Sequence, residues 1–225
     1  MDRVIARESS VKIDNGLRWC ESLAIAFQAD MSRPIEYGEE YWKYYWSLEN
    51  SPAAANLTRR RFWMSHRVGG LVLDIGIGSG KFLCECEASG RPLLGGYDVN
   101  PHAVAWLCDR NLYFDPYDPG RQSLPSEPVT WTLWDVIEHL PRPHELLDRI
   151  RVGDALCLTV PIYHDLLREI PSSKHFKPNE HFYYFTPAGL IRWLAAYGFE
   201  LLEMNRDEQL AGRESVASFA FRKRG

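Results

Sequence analysis

Between residues 71 and 82 the chain reads Leu71-Val72-Leu73-Asp74-Ile75-Gly76-Ile77-Gly78-Ser79-Gly80-Lys81-Phe82, an apolar run followed by three glycines at alternate positions. Glycine lets a backbone approach a ligand closely, and an open α/β sheet binds its ligand where a strand gives way to a helix. Two nucleotide readings fail on spacing. A dinucleotide loop needs a third glycine at the sixth position, where Lys81 stands; a P-loop needs Ser or Thr after Gly-Lys, where Phe82 stands. Asp74 narrows the choice. A carboxylate just before the turn would repel a pyrophosphate but would attract an ammonium group. S-adenosylmethionine carries an ammonium and a sulfonium and no phosphate. Asp98 closes a second apolar run, where a carboxylate can accept hydrogen bonds from both ribose hydroxyls.

Further along, Glu138, His139, His175 and His181 are candidate bases or acceptor contacts. A methyl group on a sulfonium such as that of S-adenosylmethionine would be passed on by in-line displacement, in which alignment does much of the work. A base is needed only where the acceptor must lose a proton, as a phenol or alcohol does. Asp135-Val136-Ile137-Glu138 also matches a helix capping box, with Asp135 as cap and Glu138 reaching back. Asp135, Glu138, His139 and His181 show no ligand spacing, so no metal is expected. Five cysteines without a framework spacing suggest reduced thiols and a cytoplasmic protein.

The elements that must position these residues alternate. Strands are expected at 71–76, 91–99, weakly at 112–114, at 129–134 and at 154–162; helices at 80–88, 101–111, 143–151 and 187–197. Two strand-like runs at the end, GFELLEM and SVASFAFRK, predict an antiparallel hairpin at a sheet edge. Residues 1–68 read as a mostly helical segment, with helices over 14–28 and, opened by Ser51-Pro52, over 52–66. The division is therefore an N-terminal helical lid, 1–68, and an α/β domain, 69–225.

DIGIGSG, the strand-end YDVN and LWDVIEHLPRP resemble the class I S-adenosylmethionine-dependent methyltransferases. EHFYYFTPAGLIRWLAAYGFELLE is similar to the subgroup containing ubiquinone-biosynthesis O-methyltransferases. The resemblance covers about 69–204 and implies a Rossmann-like, doubly wound, seven-stranded sheet of order 3-2-1-4-5-7-6 with strand seven antiparallel. It implies Asp74, Gly76, Ile77 and Gly78 at the methionine end of the cofactor, Asp98 at the ribose, Val99 beside the adenine and Trp134 near the sulfonium. Asp115 or Asp118 would hold the adenine amine. His139, His181 and Glu138 would be catalytic, and a small organic molecule, methylated at oxygen, the acceptor.

Lys and Arg number 26 against 30 Asp and Glu, a net charge of −4 that suits nucleic acid poorly. The basic run Arg59–Arg61, His66 and Arg67 reads as a solvated helix face. Methylation of a macromolecule such as tRNA, DNA or protein, or a non-catalytic subunit, are the alternatives. No apolar stretch approaches the ~18 residues of a membrane span, and MDRVIARESS does not read as a signal peptide. Aromatic residues make up 13% of the chain and cluster in YGEEYWKYYW. Tyr37, Tyr41, Tyr44, Tyr45 and Leu48 fall at helical spacing, so Tyr41 and Tyr45 could form one wall of an acceptor pocket. His175 and Tyr183, within 175–186, could form the other.

Overall fold

The computed structural model describes the whole chain except residues 33–34, 48–51, 68–69, 119 and 121, and except the side chains of 45–47 and 52–57. Its elements run β1 (Val11–Lys12), β2 (Leu17–Cys20), β3 (Ile25–Gln28), α1 (Glu39–Ser47), α2 (Pro52–His66), β4 (Leu71–Ile75), α3 (Lys81–Ala88), β5 (Leu93–Tyr97) and α4 (Pro101–Asp109). There follow β6 (Val129–Trp134), α5 (Pro143–Leu147), β7 (Ala155–Pro161), α6 (Leu166–Glu169), β8 (Tyr183–Phe185), α7 (Pro187–Ala195), β9 (Phe199–Asn205), α8 (Asp207–Leu210) and β10 (Val216–Lys223).

The central sheet has the order β5-β4-β6-β7-β10-β9. The first four strands are parallel, and β10 lies antiparallel to both its neighbours. Every residue of β6 and β7 is buried, as befits parallel strands covered on both faces. Leu73, Trp131, Leu133, Leu156 and Leu158 pack on one side with Leu190 and Trp193 of α7. On the other, Val72, Trp134 and Cys157 meet Phe62 and Trp63 of α2 and Phe82 and Cys86 of α3.

This is the expected order with one correction: the sheet has six strands, not seven. The outermost position is reduced to a single parallel bridge between Gly96 and Tyr113. Gly95, at φ 148, lets the backbone of Leu112 come so close that an added Cβ would stand 2.2 Å from its carbonyl oxygen. Pro116, which has no N–H to donate, follows almost at once and prevents the ladder from extending. The C-terminal hairpin is present, with α8 at its turn and β9 at the sheet edge.

The N-terminal segment departs further. Residues 14–28, expected as a helix, form β2 and β3 of a four-stranded antiparallel sheet, β1-β2-β3-β8. Asn15 (φ 60) and Gly16 (φ 73) make the left-handed turn between β1 and β2, closed by the Leu17 N–H donating to Asp14 O at 3.3 Å. Asn-Gly is the strongest short hairpin signal, and here it overrides the helical spacing of Leu17, Leu23 and Ile25. Because β3 pairs with β8 (Ile25 opposite Phe185, Phe27 opposite Tyr183), the start of the chain is bound to its last third. Helix α2 has the expected bounds, though its proposed cap Ser51 lies outside the described residues. The helix expected over 143–151 stops at Leu147, and that over 101–111 ends at Asp109 before a left-handed Asn111. No helix among the described residues is long and apolar enough to cross a membrane.

Candidate functional site

The glycine loop leaves the carboxyl end of β4. Gly76, Gly78 and Gly80 have φ of 71, 54 and 73, conformations that disfavour side chains. An added Cβ would meet Val136 at 2.4 Å from Gly76 and Trp106 at 2.8 Å from Gly80, but nothing within 4 Å from Gly78. The outer glycines are therefore demanded by packing. Gly78 keeps an open face, as a backbone cradle for a ligand requires. Asp98, at the end of β5, fixes the cradle: it accepts from the Gly78 N–H at 3.0 Å and from the Asn100 N–H at 2.8 Å. Asn100 in turn caps α4 through the His102 N–H, and Val99 beside it is 63% exposed. Burial raises the Asp98 carboxyl above the usual range.

Asp74 lies beneath the loop, 1% exposed, and accepts from the Thr132 hydroxyl at 2.6 Å. Burial pushes its carboxyl up to about 7, against the opposing effects of the Thr132 bond and Arg59. A cation brought to this carboxylate would relieve the cost of its burial. Asp115 accepts from the Tyr117 N–H at 2.8 Å beside Tyr97 and Tyr113, next to the strand that carries Asp98. Asp118 is an exposed loop acid that holds the Gly120 N–H; this geometry favours Asp115. Trp134 packs edge-on against Phe82 at 5.1 Å, under α2 and α3, with its Nε1 buried and unpartnered among the described residues.

At the carboxyl end of β6 the chain turns sharply. Asp135 takes the left-handed conformation (φ 59), and a single 3₁₀ turn over Ile137–His139 follows. The expected capping box does not form. Asp135 instead receives Arg59 at 2.5 Å, Arg213 at 2.8 Å and the Thr159 hydroxyl at 3.2 Å. The two guanidiniums hold its carboxyl well below the usual range despite its burial. Both also bind Glu208, which is fully buried. Arg59, read from the sequence as part of a solvated face, is only 12% exposed and lies 5.5 Å over the Trp134 ring. A basic run looks solvated when its acidic partners, here from residues 135 and 208, are distant in sequence.

Released from capping, Glu138 is 1% exposed, and neither carboxyl oxygen has a hydrogen-bond partner among the described residues. Burial, and then the nearby Asp135 charge, raises its pKa well above normal. His139 Nε2 is 3.9 Å from Glu138 Oε1, and its Nδ1 is 3.0 Å from the Tyr37 hydroxyl. The His181 ring meets the His139 ring edge-on at 4.5 Å. Burial keeps both imidazoles neutral, His139 down to about 4 and His181 to about 2. The three catalytic candidates are thus brought together from a loop and the entry to β8, with ligand-capable atoms all within 4.8 Å of one another.

The aromatic residues expected to wall an acceptor pocket fall in different places. Tyr41 of α1 meets Tyr37 edge-on at 4.7 Å and so flanks the His139 site. Tyr44 is 59% exposed, and the side chain of Tyr45 and all of Leu48 lie outside the described residues. Tyr183 is a correction. Its hydroxyl accepts from the Asp2 N–H and donates to Pro141 O, and its ring stacks on Trp193 in the core. Strand alternation turns the next residue the other way. Tyr184 lies 6.3 Å from the His181 ring, and its hydroxyl accepts from Gln28 Nε2 at 3.3 Å. His175 stands apart, its Nε2 3.0 Å from the Glu214 carbonyl, and the cluster forms without it. Gln28 and Tyr184 carry no local signal for this site, and Tyr37, expected on the aromatic helix face, stands just before α1, which begins at Glu39. For Gln28 the signal lies elsewhere, in the Asn-Gly turn that would have brought it to β8.

A family model described as a methyltransferase domain matches residues 45–204. Among curated proteins, a tRNA U34 carboxymethyltransferase of Tolumonas auensis is 28% identical over 152 residues, covering 59% of this chain. The match spans only 45% of that relative's length. Among solved structures, a SAM-dependent methyltransferase from Archaeoglobus fulgidus aligns with a TM-score of 0.56 and 18% identity, covering 82% of this chain and all of the other. Human N-acetylserotonin methyltransferase in complex with SAM aligns at 0.59 and 17% identity, over 83% of this chain and 56% of its own. At these identities the structural likeness speaks for the fold.

Proposed function

The chain belongs to the methyltransferase-domain family, and from that premise we propose that it moves a methyl group to an oxygen of a small organic acceptor held beside Glu138, His139 and His181. S-adenosylmethionine is the methyl donor; when bound it supplies a methyl group on a positively charged sulfur. The open face of Gly78 fits its methionine portion, with Gly76 and Ile77 alongside. Asp74 answers the ammonium and Asp98 the ribose hydroxyls; Val99 offers an exposed apolar edge to the adenine and Asp115 an acceptor to its amine. Trp134 closes the floor beneath the loop.

At the acceptor, a neutral His139 can take a hydrogen bond, and then a proton, from a hydroxyl. Tyr37 orients that ring through Nδ1, leaving Nε2 for the acceptor. Tyr41, Tyr184 and His181 form apolar and aromatic walls. Helix α1, with the segment before it, acts as the lid over this site.

The observation that carries the small-acceptor reading is burial: Glu138 is 1% and His181 4% exposed, which admits a small molecule more readily than a folded macromolecule. The relative named for tRNA favours a second reading, methylation of RNA. Against it, part of the basic run of α2 is engaged by acids of the same chain, Arg59 by the buried Glu208 and, at the surface, Arg60 by Glu85 and His66 by Glu203. The test is incubation with methyl-labelled S-adenosylmethionine in two arms, an ultrafiltered small-molecule extract and total RNA. Label in the small-molecule arm, lost with His139→Gln, supports the proposal; label in RNA alone overturns it.

A further inference from the structure

Glu138, His139 and His181 lie close enough to act as one ligand set. Donor atoms bound about 2.1 Å from a tetrahedral ion stand roughly 3.4 Å apart. The Glu138 Oε1 to His139 Nε2 separation is already 3.9 Å, and the three donors lie within 4.8 Å of one another. Small side-chain rotations would complete the approach. Two further observations point to a ligand. Glu138 is 1% exposed with both oxygens unpartnered among the described residues, a costly state for a buried carboxyl unless something binds it. And His139 holds its Nδ1 on the Tyr37 hydroxyl, the outer-shell contact by which a metal-binding imidazole is oriented with its other nitrogen forward.

We propose that Glu138, His139 and His181 form a binding site for one divalent first-row transition cation, with three protein ligands and at least one position left open. Two imidazole nitrogens and one carboxylate favour Zn²⁺, Co²⁺ or Mn²⁺ over Mg²⁺ or Ca²⁺, which prefer oxygen. Three protein ligands with an open position is the arrangement of catalytic rather than structural sites. Resting on the reading of a hydroxylated acceptor, the ion replaces the direct His139 contact: His139 Nε2 is committed to the metal, and the open position takes the acceptor oxygen, holds it in line and eases loss of its proton to water. The ligands are missed in sequence because Glu138 and His139 are adjacent while His181 arrives 42 residues later, a spacing set by β8 and not by any single helix.

The experiment uses the full chain without cofactor or acceptor, so its outcome is separate from that of the methyl-transfer reading. Co²⁺ is titrated while its visible d–d absorption is followed. One saturable equivalent is expected. Glu138→Gln and His181→Gln should each weaken binding at least ~100-fold, and Tyr37→Phe by roughly tenfold; His175→Gln should leave it unchanged. Thermal melts check that each variant folds. If the Glu138 or His181 variants do not fold, pulsed EPR of the Mn²⁺-loaded wild type decides the matter by showing coupling to two imidazole nitrogens. No saturable Co²⁺ binding, undiminished binding in the folded variants, or no nitrogen coupling would overturn the proposal.

Discussion

Proton release on cofactor binding offers a direct reading of Asp74. Burial raises this carboxyl to about 7. An ammonium group placed against it would return it toward the ordinary carboxylate range near ~4. A shift of about 3 units corresponds to about 4 kcal/mol across the full pH range. Only the ionised form pairs with the ammonium, so affinity falls as pH drops through 7, by roughly tenfold between pH 8 and pH 6. Calorimetry with S-adenosylhomocysteine, which keeps the ammonium, in two buffers of different ionisation enthalpy counts the protons. About 0.9 proton should leave at pH 6 and about 0.1 at pH 8. Asp74→Asn keeps an acceptor for the Thr132 hydroxyl but should bind weakly with no proton release at either pH. The same linkage acts on folding. A carboxyl raised in the native state stabilises it below the unfolded value near ~4, and that contribution is lost as pH rises through about 7. Without cofactor, Asp74→Asn should therefore gain stability relative to wild type between pH 5 and pH 8. Equal proton counts in wild type and Asp74→Asn, or an affinity flat with pH, would refute the reasoning.

Two further predictions concern the frame around the site. Arg59→Met removes a cation shared by the buried Glu208 and Asp135; breaking such a pair from one side costs about 3–5 kcal/mol, read as a fall in the urea midpoint, and a change within error would show that Arg213 suffices alone. Gly76→Ala places a Cβ 2.4 Å from Val136 in a left-handed turn, a strain of about 1–3 kcal/mol; the variant should fold with a lower melting temperature and lose nucleoside affinity, and unchanged affinity would remove this glycine from the cradle.

The parts of the fold that the sequence made legible are those where local signals agree with the tertiary outcome. Parallel strands buried on both faces read as continuous apolar runs, so β4, β6 and β7 fall close to their expected bounds. Asn100-Pro101 opens α4 as its chemistry dictates. The failures have separate causes. In residues 14–28 a helical spacing competed with an Asn-Gly turn, and pairing with β8, which no local pattern reveals, decided for the hairpin. At Asp135 a capping pattern competed with Arg59 and Arg213, each more than 70 residues away. That competition freed Glu138 and changed its chemistry from helix cap to buried, unpartnered carboxyl. Tyr183 and Tyr184 differ by one residue in a three-residue strand, and one step of parity separates core from site. The glycine loop between β4 and α3 is legible because its spacing is set by one strand–turn–helix unit, with Asp98 close by at the end of the adjacent strand.

The central claim is that the Gly76–Gly80 loop and Asp98 together form the S-adenosylmethionine site, and Asp98 is where it is most exposed to test. Its carboxylate tethers the Gly78 N–H and is the group proposed to take the ribose hydroxyls. Calorimetric titration of S-adenosylhomocysteine into the wild type and into Asp98→Ala, each with its melting curve, measures both at once. We expect about micromolar affinity for the wild type and a loss of at least ~100-fold in a folded Asp98→Ala, two charge-assisted hydrogen bonds having been removed. Equal binding by both proteins, or none by the wild type, would contradict the account.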